Sequence, residues 1–172
     1  MMYGAPRSPS YIDDWEEGKS PVSLRSLCEE TGEKLRSFRE VSDCDLLSAS
    51  ARCITFIWAM KCDGSIKIAV EELAELPNGD ELTGHPRRRN YPRHPADEKK
   101  LGHPCLVEGE HARIAGELFL DEADGDGFRW FANDSSGRYC KKFPPTKVQI
   151  KNAIELVESK IGDRVTWDNL EE

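Results

Sequence analysis

Five side chains carry the strongest chemical signal in the 172-residue sequence: His103, Glu117, Ser136, Arg138 and Tyr139. They fall on three separate segments, "GHPCL", "ARIAGELFL" and "NDSSGRYC". An imidazole and a carboxylate within reach of each other form a proton-transfer pair. A guanidinium grips phosphate or carboxylate through a planar fork of donors. The types therefore nominate His103, Glu117, Arg138 and Tyr139 as a catalytic set, with Asn133, Ser136, Gly137 and Gly116 as a binding wall. The plainer alternative has Tyr139 packing its ring into the core while Ser136-Gly137 makes a tight turn.

Three other groupings raise metal or thiol chemistry. His85, His94, His103 and Cys105 are potential ligands, but nine-residue gaps do not give the close pairs of a tetrahedral zinc site, so they read as ordinary loop histidines. "DEADGDG" (121–127) has a calcium-like composition. Counted from Glu122, however, the twelfth position is Asn133 and the flanks read as strands, so an acidic hairpin loop is expected. Cys105 lies two residues from His103, and in extended backbone the two would point the same way. A buried, inert thiol is the plainer reading. No metal and no cofactor is expected.

Elements that would position these groups follow from spacing. Residues 1–19 hold Gly4, Pro6 and Pro9 with little apolar content and read as a loose arm. Ser20-Pro21 resembles a helix start, with Leu24, Leu27, Cys28, Leu35 and Phe38 at helical spacing and Gly32 as a break. Ser42 and Asp45 suggest a cap for a second, short helix. "CITFIWAM" and "SIKIAV" flank Asp63-Gly64, a strong hairpin signal, so 54–70 should be a hairpin. "VEELAEL" should extend it or make a helical turn. Residues 77–104 form a long polar loop rich in proline, which few ladder hydrogen bonds can join. "ARIAGELFL" and "FRWFAN" make a second antiparallel pair. Thr146 with Gln149 forms a capping box, Ile150, Ile154, Val157 and Ile161 mark a helix face, and Gly162 ends it.

The expected fold class is α+β: N-terminal helices, a mainly antiparallel β-sheet of hairpins and a C-terminal helix. The expected organisation is an arm (1–19), a single α+β domain (20–165) containing the 77–104 loop, and a short acidic tail (166–172). Net charge is −8, mean hydropathy −0.63 and charged residues 33%. An acidic surface disfavours broad nucleic-acid or membrane binding. His85 to His103 nonetheless carries +4, leaving −12 elsewhere, so this loop could meet a phosphate or an acidic protein partner. No apolar run approaches the roughly 20 residues of a membrane span. The first twenty residues lack the basic start and apolar core of a secretory signal. Six cysteines at irregular spacing fit reduced thiols. A cytoplasmic location is expected, with a signal-independent route of export left open.

In order, "CDGSIKIA", "GHPCL", "RIAGELFL" and "NDSSGRY" resemble a domain of bacterial polymorphic-toxin-like proteins and plant IQ-motif calmodulin-binding proteins. That domain carries a His-Ser-Ser step, an Ala-Gly-Glu step and Ser-Gly-His-Tyr. The resemblance spans about residues 54–145 and implies a shared pocket at His103, Leu106, Ala115, Gly116, Glu117, Ser136, Gly137 and Tyr139. Pro104-Cys105 stands in place of two serines and Arg138 in place of histidine. No IQ motif is present, so calmodulin binding is not implied. Two functions follow as expectations. The first is an effector or toxin-like enzyme acting on a phosphate-bearing substrate, RNA or a nucleotide, by His103/Glu117 acid–base chemistry. The second is a non-catalytic binding module recognising a small ligand or partner protein through the same pocket.

Overall fold

A computed structural model describes residues 2–75, 79–89, 98–123 and 127–168. The fold is α+β. Its main element is a six-stranded, mostly antiparallel sheet in the order β1-β3-β2-β6-β7-β8. The strands are β1 (Arg25–Ser26), β2 (Thr55–Lys61), β3 (Ile66–Val70), β6 (Ala112–Ala123), β7 (Gly127–Ala132) and β8 (Val165–Trp167). Strands β4 (Leu73–Glu75) and β5 (Lys99–Lys100) form a separate two-stranded ribbon. The helices are α1 (Glu29–Ser42), α2 (Asp45–Ala51) and α3 (Lys147–Ile161).

The β2–β3 hairpin forms where "CITFIWAM" and "SIKIAV" place it. Gly64 takes φ 86° and Ser65 N–H donates to the Asp63 carboxylate at 2.9 Å, so this turn needs both residues. Register sorts the side chains onto two faces. Phe56, Trp58 and Met60 lie beside Ile68, Leu118 and Ile114 on one face. Phe38 of α1 meets Phe56 and Trp130 there, with ring centroids 5.9 and 6.4 Å apart. The opposite face carries Ile57, Ala59, Ala115 and Glu117. A short 3-10 turn, His103–Leu106, packs over β2 and β3.

Several expectations are corrected here. Helix α1 begins at Glu29, not at Pro21, because the amides of Val22 and Ser23 are capped by the Glu72 carboxylate at 3.0 and 2.9 Å instead of opening a helix. Gly32 does not break α1; it lets α3 approach, since a Cβ there would overlap the Lys160 carbonyl and stand 3.0 Å from Ile161 Cα. The stretch that reads as tail supplies β8, which joins β7 in parallel through Trp130↔Val165 and Ala132↔Trp167. The capping box at Thr146 and the left-handed cap at Gly162, φ 70°, form as the sequence indicates. The arm is held rather than loose. Arg7 pairs with Ala112 through two backbone hydrogen bonds of 2.8 and 3.0 Å, and Ser10 N–H donates to the Arg138 carbonyl at 2.8 Å.

Candidate functional site

The 3-10 turn puts His103 against β6. Its Nε2 lies 2.9 Å from the Gly116 carbonyl, which can only accept, so Nε2 carries the proton. Burial pulls the imidazole pKa down to about 4, so the ring is neutral at pH 7. Glu117, the next residue, does not partner it. Its carboxylate accepts from Asn133 Nδ2 at 3.2 Å, and burial raises its pKa. Among the described residues no hydrogen bond joins His103 to Glu117.

Asn133 is the hinge of this wall. Its Oδ1 accepts from the amides of Glu117 and Ser135 at 3.1 and 3.0 Å, while its own amide donates to the Glu117 carbonyl at 3.0 Å. The chain can cross here only because residue 116 is glycine. A Cβ at Gly116 would overlap the Asn133 carbonyl oxygen and come within 3.0 Å of Asp134 Cα. Ser136 then closes a turn, its carbonyl accepting from Cys140 N–H at 2.9 Å. Gly137 sits in the open, with nothing within 4 Å of where a Cβ would stand. Tyr139 is buried and donates its hydroxyl to the Glu110 carbonyl at 2.8 Å; burial raises its pKa. The expectation of Tyr139 as a catalytic group therefore gives way to the packed-ring reading.

Arg138 is the group whose surroundings are least like those expected. Its Nη1 donates to Glu16 Oε2 and its Nη2 to Asp13 Oδ2, each at 2.6 Å. The guanidinium lies 3.9 Å from the Tyr11 ring centroid. Glu16 is 2% exposed, and its other oxygen accepts from the Gly102 amide at 2.8 Å. Gly102 is cut to fit: a Cβ there would stand 2.8 Å from Glu16 Oε1. Trp15 completes the contact by donating to the Lys100 carbonyl at 3.2 Å and packing on Ala74, Leu101 and Cys105. Residues 11–16 thus lie along the body as a strap whose carboxylates fill the arginine's fork.

Among the described residues no side-chain hydrogen bond joins His103, Glu117 and Arg138 to one another. Cys105 is not activated by His103 either. Its Sγ lies 3.7 Å from the Glu16 carbonyl, and burial pushes the thiol pKa up to about 12. Four cations of the basic loop, Arg87, Arg89, Lys99 and Lys100, are in ion pairs with Glu71, Glu75, Glu98 and Asp121. Arg87 contacts Glu71 and Glu98 at 3.0 and 2.8 Å, and Lys100 also bonds Glu71. Burial would raise the Glu71 pKa, but Lys100 and Arg87 outweigh it and hold the carboxyl below its ordinary range. Arg89 meets Asp121 at 3.3 Å and lies over the Phe119 ring. His94 and residues 124–126 of the acidic loop lie outside the described residues. Among the described residues no group of three or more His, Cys, Asp or Glu is placed to hold a metal ion.

Of the surface cavities among the described residues, five of the best formed are lined by none of His103, Glu117, Arg138 or Tyr139. One of about 380 Å³ follows the seam between strap and body, with Ile12 and Glu16 on one side and Pro104, Cys105 and Gly109 on the other. No helix among the described residues is long and apolar enough to cross a membrane. No family model, curated protein or solved structure matches the chain. Sequence reasoning missed Asp13, Glu16, Glu71 and Glu72. The available signal was "YIDDWEE", whose Tyr, Ile and Trp are out of place in a loose arm.

Proposed function

We propose that the chain is a non-catalytic binding module whose Arg138–Gly102 wall grips a carboxylate of a partner protein. The observation that carries this reading is the Glu16 carboxylate. It is buried, bonded at once to a guanidinium and a backbone amide, and accommodated by a glycine. A desolvated arginine with an adjacent N–H is a carboxylate receptor by chemistry. Here the strap supplies the carboxylate from within the chain. The seam cavity beside Glu16 gives a route by which a partner segment exchanges for it.

Proton-transfer chemistry has weaker support. A neutral His103 tied to a carbonyl, a Glu117 tied to Asn133 and an Arg138 carrying two carboxylates leave no group poised on a shared substrate position. The effector-type enzyme acting on RNA or a nucleotide is therefore the second reading, kept only by the raised Glu117 pKa.

The test uses the full chain carrying Asp13→Asn and Glu16→Gln, which strips the strap of its charges. A labelled peptide of residues 8–18 is titrated against it by fluorescence polarisation. Saturable binding with Kd below about 1 mM, abolished by adding Arg138→Gln, is expected. Absence of binding in a variant that keeps its circular dichroism spectrum would remove the proposal. Turnover of RNA or nucleotides by wild-type protein, lost in Glu117→Gln, would restore the enzyme.

A further inference from the structure

The surface of α3 carries charges that its own helix does not explain. Lys147 and Lys151 stand in the N-terminal half, and Glu155 and Glu158 towards the C-terminus. Lys147 in the first turn and Glu158 in the last each stand at the end the macrodipole disfavours, whereas Lys160 in the last turn is favourably placed. Lysine four residues before glutamate is also the weaker intrahelical orientation, and Lys151 and Glu155 are only loosely paired at 3.8 Å. Between these charges and β8 runs a groove of about 460 Å³ lined by Ile150, Ile154, Val165 and Trp167. Strand β8 is the outer strand of the sheet, and Val148, 68% exposed, extends the apolar surface.

We propose that this face pairs with a second copy of the chain about a two-fold axis, α3 against α3 in antiparallel array. Antiparallel pairing sets Lys147 opposite the second copy's Glu158 and Lys151 opposite its Glu155, and the same contacts repeat in reverse. It also opposes the two helix dipoles, so Lys147 and Glu158, each disfavoured by its own dipole, gain a favourable partner across the two copies. Glu158 already accepts from Val165 N–H through Oε1, and a carboxylate has a second oxygen for the lysine. These four charges cancel, so on a chain of net −8 they add no net repulsion between copies at this face. Ile150, Ile154 and Trp167 of each copy then close the other's groove. This inference is independent of the Arg138 wall.

The test is sedimentation velocity on the full chain from about 1 µM to about 1 mM, the range of weak self-association. The mass is expected to rise from 19.4 kDa toward twice that value. Lys151→Glu alone sets glutamate against glutamate in both repeats, and Glu155→Lys alone sets lysine against lysine. Each should weaken dimerisation at least about tenfold. Mixing the two variants makes both contacts attractive and should restore a heterodimer. Neither residue caps β8, and unchanged circular dichroism confirms that α3 is intact. A wild-type monomer at every concentration overturns the proposal. So does dimerisation that survives both single variants, or a mixture that fails to recover. A wild-type monomer that dimerises once residues 169–172 are removed assigns the groove to the chain's own terminus instead.

Discussion

Two glycines of the candidate wall, Gly116 and Gly137, should respond oppositely to the same methyl group. At Gly116 an alanine Cβ would overlap the Asn133 carbonyl oxygen, lie 2.8 Å from its carbon and 3.0 Å from Asp134 Cα. The obstacle is backbone, so no rotamer relieves it. Residues 133–134 must move outward, which strains or breaks three hydrogen bonds: Asn133 N–H to the Glu117 carbonyl at 3.0 Å, Glu117 N–H to Asn133 Oδ1 at 3.1 Å, and Asn133 Nδ2 to the Glu117 carboxylate at 3.2 Å. Overpacking costs about 1–3 kcal/mol and each lost hydrogen bond about 1 kcal/mol, so with two of the three lost Gly116→Ala should cost roughly 3–5 kcal/mol. For a chain of this size that lowers Tm by roughly 10 °C. Gly137 has an ordinary φ and open space, so Gly137→Ala should stay within about 0.5 kcal/mol of wild type. Urea denaturation of the three proteins measures both values. A loss below about 1 kcal/mol for Gly116→Ala, or equal losses for the two variants, would refute the close-crossing argument.

Acid should expose the burial of His103. Its folded pKa of about 4 lies below the ordinary 6.5, so the unfolded chain binds the extra proton first and stability falls as pH drops from about 6.5 towards 4. The contribution is up to about 3 kcal/mol, and Glu117, whose folded pKa is raised, opposes it in sign. His103→Gln keeps a donor for the Gly116 carbonyl and should flatten this part of a urea-melt series, whereas an unchanged slope would place the titration elsewhere. Thiol alkylation should discriminate among the cysteines. Cys28 is exposed, and hydrogen bonds from the Thr31 amide and hydroxyl lower its pKa, while burial pushes Cys105 up to about 12 and Cys140 up to about 11. Peptide mass spectrometry after iodoacetamide at pH 7.5 should find Cys28 modified early and Cys105 and Cys140 only on unfolding; early modification of Cys105 would contradict its burial. Finally, Thr146→Ala removes the hydroxyl that accepts from Gln149 N–H at 3.3 Å and should cost about 1 kcal/mol in the same denaturation assay.

What was legible in the sequence was whatever a local rule decides. Asp63-Gly64 between alternating runs makes a hairpin, and Thr146 with Gln149 caps a helix, because the groups that meet are a few residues apart. Pro21 misleads for the converse reason. The group that satisfies the next two amides is Glu72, fifty residues on, so a good helix-start signal opens a capped turn instead. Gly32 misreads in the same way, and the close crossing at Gly116 was equally illegible, since each accommodates backbone from another segment. The site follows this pattern. His103, Glu117, Arg138 and Tyr139 are the right types for chemistry, yet each is fixed by a partner their spacing does not reveal: the Gly116 carbonyl, Asn133, the Asp13/Glu16 strap and the Glu110 carbonyl. Three of these ties are ordinary ways of satisfying a buried polar group. The fourth is different in kind. Arg138 is matched by carboxylates that arrive on a proline-rich arm, along a seam that retains a cavity of about 380 Å³. A buried polar group is satisfied by a hydrogen-bond partner, but a desolvated guanidinium demands an anion. That demand holds the strap in place, and under the proposed function a partner's carboxylate meets it in the strap's stead.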